Sequence, residues 1–361
     1  MLIEVRPPRA DYGDCVTTHA HSSDTASIRD VAKLANVSHQ TVSRVLNGHP
    51  SVRPATRQRV LDAVAELSFR PNRAARMLAT NRSYTVGVLM TASHAYYGPS
   101  SVLRAVEDAA RDSGYSILLA SPRDTDVSEF SAAVDHLIHE GVEGIIVVAP
   151  QVRAAEAMTK LREPVPVVMV QCADVDPALS VNNEVGGELA AQHLWDLGHR
   201  RVALVAGPSD WAESGARTRG FARFLSSVGA VPVAVADGDW SSASGYEAFQ
   251  QIADAGFTGA FCANDQMALG FIHAAHDHGV NVPNGLSVVG FDDIPEAEHY
   301  LPPLTTVHQD FDVVGRRAVD GLLSAMQDHA ISPADALDPL RPELIVRKST
   351  SSPAPNRHSG R

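Results

Sequence analysis

The chain has 361 residues, of which 44% are hydrophobic and 20% charged, a composition typical of a globular protein with two or three domains. No apolar run approaches the roughly 18 residues that a membrane-spanning helix requires. Residues 1–26 lack the apolar core of a signal peptide, so we interpret them as a disordered tail without an assigned function. The three cysteines (Cys15, Cys172 and Cys262) show no metal or redox spacing, and we expect a cytoplasmic protein.

The net charge of −12 is distributed unevenly along the chain. Between Ser27 and Ser83 there are ten Lys and Arg residues and three Asp and Glu residues, so this segment carries +7 and the remainder −19. A basic segment can contact the phosphates of DNA, whereas the acidic remainder would be repelled by them. A run of charge is usually only a solvated surface, so its meaning depends on the motif it contains.

The stretch Ile28–Asn47 has the pattern of a helix-turn-helix. Apolar residues recur at i, i+3, i+4 and i+7 in its first half, and Asn36 tolerates the left-handed backbone of a tight turn. Val37 supplies an apolar side chain beneath that turn, and Ser38 is a suitable N-cap for a second helix. An ordinary buried hairpin is the alternative, but it does not explain an outward face of hydrogen-bonding groups without carboxylates: His39, Gln40, Ser43 and Arg44.

A third helix is predicted to begin at Pro54, which is favoured in a first helical turn, and Phe69 and Pro71 close a three-helix headpiece over residues 27–71. Thr56 and Arg57 lie where a helix start can meet phosphate, although capping explains Thr56 nearly as well. The DNA-contacting residues that we predict in this headpiece are Ser27, Ser38, His39, Gln40, Thr41, Ser43, Arg44, Asn47 and Thr56.

Residues 72–83 are predicted to link the headpiece to the rest of the chain. Arg73–Ala79 has the length of two helical turns, too short for stability alone, so we expect it to fold only when DNA or a partner chain orders it. Leu78, beside basic residues, suits a wedge pushed between base steps in the minor groove. The alternative is a flexible linker with an incidental leucine. The DNA contacts predicted here are Asn72, Arg73, Ala75 and Leu78.

From Tyr84 onward, apolar strands alternate with helices, which is typical of parallel sheets covered on both faces. The predicted strands are Thr85–Met90, Tyr115–Ala120, Gly144–Ala149, Val165–Val170, Arg201–Gly207, Val231–Ala236, Gly259–Asn264 and Leu286–Phe291. The predicted helices between and after them are Val102–Asp112, Phe130–His139, Glu188–Leu197, Gly220–Val228, Ser244–Ala253 and Gln266–His276.

The fold class is therefore α/β, with a helix-turn-helix headpiece followed by two doubly wound lobes over residues 84–349. We assign residues 84–182 and 311–338 to lobe 1, residues 183–310 and 339–349 to lobe 2, and residues 350–361 to a disordered tail. Ligands of such sheets bind beyond the carboxyl ends of the strands, and a cleft between lobes can act as a hinge.

Several side chains near predicted strand ends suit a sugar. Arg217 is predicted in a loop, where its guanidinium can hold two adjacent hydroxyls. Asn264 and Asp292 directly follow apolar strands, Trp240 offers a flat face for a pyranose ring, and Gln309 can reach the same opening. Helix capping by Asn264 and Asp292, and packing between the lobes by Trp240, are the alternatives.

The segments DVAKLANVSHQTVSRVLN, RPNRAARMLA, GHRRVALVAGP, CANDQMALG, SVVGFDD and LPPLTTVHQDF resemble the lactose-repressor family of bacterial transcription regulators, from Ser27 to about Thr350. The similarity is greatest to its lactose-type members. The resemblance implies a periplasmic-binding-protein-like effector domain and a homodimer that binds a palindromic operator in double-stranded DNA. It also implies that a small ligand between the lobes changes operator affinity. The positions that match sugar contacts in lactose-type members are Arg217, Trp240, Asn264, Asp292 and Gln309.

The first lobe departs from this pattern. Gln171 stands where lactose-type members have Asp, Asp124 where they have Arg, and Val148 where they have Asn. Tyr96 and Tyr97 occupy a loop that carries Leu and His in those members, and we predict Tyr96 as a ligand contact. The residues predicted at the floor of the cleft match lactose-type members, whereas those at its rim differ. We therefore predict a saccharide effector, a galactoside being one candidate, whose second ring or aglycone differs from that of lactose-type effectors.

Other functions find less support. His273, His276 and His278 have no carboxylate at metal-ligand spacing, so we predict no metal site. No activated nucleophile or Gly-rich phosphate loop accompanies Asp292 and Asp293, so we predict no enzyme and no cofactor. The tail after Val346 lacks apolar heptads, which predicts a dimer at most. A sugar-binding protein without a regulatory role, or a regulator of a non-sugar ligand, remains the alternative.

Overall fold

The computed structural model describes residues 26–46, 49–69, 77, 82–91, 96–122, 126–159, 164–171, 177–327 and 338–353. The chain divides into two compact units, Met1–Arg82 and Ser83–Arg361. Every helix in the described ranges is too short or too polar to cross a membrane. The predicted hinge and several site positions lie outside the described residues: Asn47, Asn72, Arg73, Ala75, Leu78 and Asp124.

The described part of the first unit contains three helices, namely α1 (Ile28–Leu34), α2 (His39–Leu46) and α3 (Pro54–Glu66). Their core is small and contains Val31, Val42, Val45, Val60 and Ala63. The turn between α1 and α2 contains Asn36 with φ of 50°, the left-handed conformation that asparagine tolerates. The helix-turn-helix prediction is therefore confirmed.

The described part of lobe 1 is a parallel sheet with strand order β2-β1-β3-β4 and helices against it. Its elements are β1 (Thr85–Met90), α4 (Tyr97–Asp112), β2 (Ser116–Ala120), α5 (Val127–His139), β3 (Ile145–Val148), α6 (Val152–Thr159) and β4 (Val167–Val170). Val148 lies in β3 and is fully buried in the core of this lobe.

Lobe 2 contains a second sheet, with order β10-β9-β8-β7-β5-β6 among the described strands. All neighbours are parallel except β10, which pairs antiparallel with β9. The elements that follow lobe 1 in chain order are α7 (Asn183–Asp196), β5 (Val202–Ala206), α8 (Ala212–Ser227), β6 (Ala234–Asp237), α9 (Ser242–Ile252), β7 (Gly259–Cys262), α10 (Asp265–Asp277), β8 (Ser287–Asp292), β9 (Thr305–His308), α11 (Phe311–Ala325) and β10 (Glu343–Ile345). Helix α11 returns to lobe 1, where its Phe311 and Leu322 join the core.

Helices α7 and α8 approach so closely that glycine is required at their contact. A Cβ atom on Gly187 would lie 2.1 Å from the carbonyl oxygen of Arg217, and one on Gly220 would lie 1.8 Å from that of Glu184. Both distances are far below van der Waals contact, so any side chain would separate the helices. This packing fixes the helix that carries Arg217.

Several predicted helices begin earlier than expected. Helix α4 begins at Tyr97 instead of Val102, α7 at Asn183 instead of Glu188, and α8 at Ala212 instead of Gly220. The prediction of a loop around Arg217 is therefore wrong, because the residue lies in the second turn of α8. The glycine, serine and β-branched residues near these helix starts have low helix propensity, which tertiary packing overrides.

The folded chain also continues beyond residue 349, where we expected a disordered tail to begin. The backbone N–H of Ser351 donates to Ser287 Oγ at 3.0 Å, and the Ser351 carbonyl lies 3.0 Å from His199 Nε2. These bonds attach the chain to lobe 2, so the order extends through residue 353, the last described residue.

Candidate functional site

The outward face of α2 presents polar side chains to solvent. His39, Gln40 and Arg44 are exposed, and Thr41 and Ser43 are half-buried. The first turn of α2 contains no acidic residue, and its hydrophobic residues Val42 and Val45 are buried on the opposite side. This face can donate hydrogen bonds to base edges or phosphates without electrostatic repulsion.

Two of the predicted DNA-contacting residues have capping roles in the structure. Ser27 and Asp30 form a capping box at the start of α1, and the Thr41 N–H donates to Ser38 Oγ at 3.2 Å. Helix α3 has Arg53 as its N-cap, without a side-chain cap, so the capping alternative for Thr56 is wrong. Arg57 donates to the His49 carbonyl at 2.8 Å, which ties α3 to the loop after α2.

A cavity of about 640 Å³, including its open mouth, lies between the two lobes. Lobe 1 contributes residues at the start of α4, and lobe 2 contributes residues from the ends of its strands and from α8. The lining residues are Tyr96, Tyr97, Gly98, Pro99, Trp211, Glu213, Arg217, Trp240, Ser241, Ser242, Asn264, Gln266 and Asp292. The structure thus brings together five predicted ligand contacts and places the sixth, Gln309, behind Asp292 at a hydrogen-bond distance of 2.7 Å.

Aromatic rings form one wall of the cavity. The Trp211 ring centroid lies 5.3 Å from that of Tyr96 and 5.4 Å from that of Trp240, and both pairs meet edge to face. A Cβ on Gly207 would lie 2.2 Å from the Trp240 ring, so only glycine allows the indole to occupy this position. Trp240 therefore both packs against its own lobe and lines the cavity.

Arg217 is buried at the floor of the cavity and already has four partners. Its Nε donates to Asn183 Oδ1 at 2.8 Å and its Nη1 to the Ala263 carbonyl at 2.6 Å. Ion pairs join Nη1 to Asp292 at 3.2 Å and Nη2 to Glu213 at 3.7 Å. The expectation that its whole guanidinium fork is available to two ligand hydroxyls is therefore wrong, since the protein itself occupies most of the fork.

The two carboxylates beside Arg217 have perturbed acidities. Burial raises the pKa of Glu213 to about 7, with Arg217 opposing the shift and Asp292 adding to it. Burial also raises the pKa of Asp292, while Arg217 and Gln309 oppose that shift. Because one buried guanidinium faces two buried carboxyl groups, protonation of one of them relieves their repulsion.

Backbone strain is concentrated around this cavity. Positive φ angles occur at Gln171 (62°), Trp240 (75°), Asp292 (103°) and Asp293 (54°). Such conformations are unfavourable for residues other than glycine and persist only where the surroundings enforce them. Their clustering supports a functional reason for the position of these side chains.

Asn264 lines the cavity and is also a helix N-cap, the alternative weighed for it. Its Oδ1 accepts from Met267 N at 2.8 Å as the N-cap of α10, and its Nδ2 donates to the Trp240 carbonyl at 3.0 Å. It therefore fixes the Trp240 backbone beside the cavity. Asp292 caps no helix, so the capping alternative is wrong for this residue.

The sequence interpretation missed Trp211 and Glu213, which also line the cavity. The detectable signal was the spacing of Glu213 and Arg217, because residues at i and i+4 share one face of a helix. That signal was lost when the segment before Gly220 was interpreted as a loop.

The histidines considered as metal ligands lie elsewhere. His273 Nε2 is 3.6 Å from Asp277, and His278 Nδ1 is 2.8 Å from the Ala274 carbonyl. Within the described ranges, no three His, Cys, Asp or Glu residues are grouped as metal ligands.

Two family models match the chain. Residues 27–72 match "Bacterial regulatory proteins, lacI family", and residues 191–350 match "Periplasmic binding protein-like domain". The lactose operon repressor of Escherichia coli strain K12 is 37% identical over 332 residues, which cover 91% of each chain. Catabolite control protein A of Priestia megaterium is 34% identical over 90% of this chain and 99% of its own length. The first of these relatives is described as a repressor.

Solved structures agree with this assignment. The lac repressor dimer bound to operator and the anti-inducer ONPF has a TM-score of 0.78 and 36% identity over 90% of this chain and 99% of its own. The complex of the transcriptional regulator CelR with cellobiose has a TM-score of 0.64 and 29% identity over 90% of this chain. With its helix-turn-helix unit, its two-lobed domain and these relatives, the chain belongs to the lacI family of bacterial regulatory proteins.

Proposed function

We propose that this protein is a transcriptional repressor whose affinity for operator DNA is controlled by a small sugar bound between the two lobes. The observation that carries the proposal is the interlobe cavity. It combines an aromatic wall (Tyr96, Trp211 and Trp240) with buried polar side chains at its floor (Arg217 and Asp292). Flat apolar faces beside fixed polar groups suit the apolar faces and the hydroxyls of a pyranose.

The DNA partner of this proposal is a palindromic double-stranded operator. The exposed face of α2, with His39, Gln40 and Arg44, supplies donors for the major groove. The net charge of +7 between Ser27 and Ser83 supports contact with phosphates. The same proposal includes DNA contacts by Ser27, Ser38, Thr41, Ser43 and Thr56, and by the hinge positions outside the described residues.

A homodimer fits this function because a palindrome presents two equivalent half-sites. Lobe 2 exposes large apolar side chains that a second copy can cover. Leu269 on α10 is 42% exposed, and Leu301, after β8, is 89% exposed. The related lac repressor structure is described as a dimer bound to operator.

An enzymatic role has less support. No histidine, cysteine or lysine lines the cavity among the described residues, so no nucleophile there has an adjacent imidazole or amine base. We therefore propose that the protein is not an enzyme. Because its target is DNA and its relatives are bacterial repressors, we also place it in the cytoplasm, at the nucleoid.

The relatives support a sugar as the ligand class. Structures similar to this chain contain cellobiose in one case and ONPG in another. The proposal carries over the ligand class and not the individual sugar.

The experiment is a panel of neutral mono- and disaccharides, tested by thermal shift and by fluorescence anisotropy of labelled operator DNA. We expect at least one sugar to raise the melting temperature and to change operator affinity, because a ligand of the native state stabilises it. Arg217→Ala should abolish this response while DNA binding remains. Since Arg217 also holds the cavity floor together, Tyr96→Ala at the rim provides a second variant that leaves the buried network intact.

A DNA complex that is indifferent to every sugar, or a sugar response that survives in both variants, would contradict the assignment of this cavity. Failure to bind duplex DNA at low salt would contradict the repressor function itself.

A further inference from the structure

Five polar side chains form a continuous row, in the order Gln309, Asp292, Arg217, Glu213, Gln171, and the middle three line the cavity. Gln309 Nε2 donates to Asp292 Oδ1 at 2.7 Å, and Gln171 Nε2 donates to Glu213 Oε1 at 3.3 Å. Arg217 lies between the two carboxyl groups, 3.2 Å from Asp292 and 3.7 Å from Glu213. Four members belong to lobe 2 and Gln171 belongs to lobe 1, so the row crosses the cleft.

The charges in this row do not balance. One guanidinium faces the carboxyl groups of Glu213 and Asp292, and these three side chains are buried. The remaining donors of Arg217 are directed to Asn183 and to the Ala263 carbonyl. A negatively charged ligand would therefore meet the repulsion of Glu213 without a free guanidinium to compensate for it.

The glutamines at both ends of the row need hydrogen-bond donors. Each turns its amide nitrogen toward a carboxyl group, which directs its carbonyl oxygen away from that group. Gln171 Oε1 and Gln309 Oε1 are buried and have no hydrogen-bond partner among the described residues. The indole N–H of Trp240 is the one donor in the same condition in that part of the chain. Among these unpaired groups, hydrogen-bond acceptors outnumber donors, and ligand hydroxyl groups can donate to acceptors.

We propose that Glu213 determines the charge class of the effector: the cavity selects uncharged, hydroxyl-rich sugars and rejects sugars that carry a carboxylate or a phosphate. The proposal rests on the proposed function, since it names the ligand class of the same cavity. Glu213 lines the cavity and acts as a specificity-determining residue whose carboxylate accepts a further hydrogen bond from a sugar hydroxyl. Its negative charge disfavours an anion bound in the cavity.

The acidity of Glu213 supplies an independent readout. Burial raises its pKa to about 7, while the charged groups that face it are Arg217, on its own helix, and Asp292, at the end of β8. The other neighbours, Gln171 and Asn183, do not titrate. Protonation below pH 7 removes the charge, so rejection of acidic sugars is strongest at pH 8 and weaker at pH 5.5.

The test uses the full chain and a sugar found to release the operator in the neutral panel. Its affinity is compared by calorimetry with those of its own uronic acid and 1-phosphate, which carry the negative charge at opposite ends of the ring. The comparison is made at pH 8 and pH 5.5 for the parent protein, for Glu213→Gln and for Glu140→Gln, which removes an exposed carboxylate in lobe 1.

We expect both acidic sugars to bind the parent protein at least about tenfold more weakly than the neutral sugar at pH 8. The difference in affinity should be smaller at pH 5.5 and absent in Glu213→Gln, whereas Glu140→Gln should behave as the parent protein. Acidic sugars that bind the parent within threefold of the neutral one at pH 8, or discrimination that persists in Glu213→Gln, would overturn the proposal. Failure of every neutral sugar to release the operator would instead contradict the proposed function, which a separate measurement tests.

Discussion

Replacement of Glu213 by glutamine should stabilise the folded protein by an amount that grows as the pH rises from 4.5 to about 7. The side chain is buried beside Asp292, and its pKa rises from 4.5 to about 7 on folding. Each pKa unit corresponds to about 1.4 kcal/mol of difference between the two protonation states. The shift therefore corresponds to a penalty of about 3 kcal/mol for the fully ionised folded protein.

The direction in which stability changes with pH follows from proton binding. Below pH 4.5 the carboxyl group is protonated in both states, so its ionisation contributes nothing to stability. Between pH 4.5 and about 7 the unfolded chain loses its proton while the folded chain retains it, and the free energy of unfolding decreases as pH rises. Above pH 7 both states are ionised and the full penalty is present. Glutamine has the shape of the neutral acid and does not ionise, so the variant avoids the penalty.

The assay is ligand-free thermal unfolding of the parent and Glu213→Gln at equal protein concentration, at pH 5, 6, 7 and 8. We expect similar melting temperatures at pH 5 and a variant that melts roughly 5 °C or more above the parent at pH 8. Glu140→Gln is the matched control, because water solvates this exposed carboxylate in both states. A difference between parent and variant that is constant across this pH range would refute the electrostatic explanation.

Three further substitutions test other parts of the structure. Arg44→Ala should weaken operator binding and reduce its log–log salt slope by about 1, with unchanged sugar affinity in calorimetry. Arg219→Ala, on the exposed surface of α8, is its control, and equal effects of the two would contradict a phosphate or base contact by Arg44. Gly220→Ala should lower the free energy of unfolding by about 1–3 kcal/mol in denaturant titrations, whereas Gly321→Ala, with open space around its Cβ, should raise it by about 0.5–1 kcal/mol. Leu269→Glu should convert the dimer to monomers in sedimentation velocity, and a persistent dimer would exclude this part of α10 from the interface.

Short-range sequence patterns were sufficient to predict the architecture. The period of the apolar residues and the Asn36 turn identified the helix-turn-helix, and continuous apolar runs such as Thr85–Met90 located the parallel strands. These features depend on residues close together in sequence. Asn264 and Asp292 were found for the same reason, because the polar residue after a buried strand faces the edge where ligands bind.

The tertiary structure decided how these residues interact. Helix α8 begins at Ala212 because it packs against α7 through glycine contacts that no local pattern records. That packing places Glu213 and Arg217 on one buried face, and Gln171 reaches Glu213 from the other lobe, 42 residues away in sequence. Burial and charge balance depend on everything that surrounds a group in space. The sequence by itself therefore determined the family and the fold, and the three-dimensional arrangement decided which donors of Arg217 remain free and where negative charge accumulates.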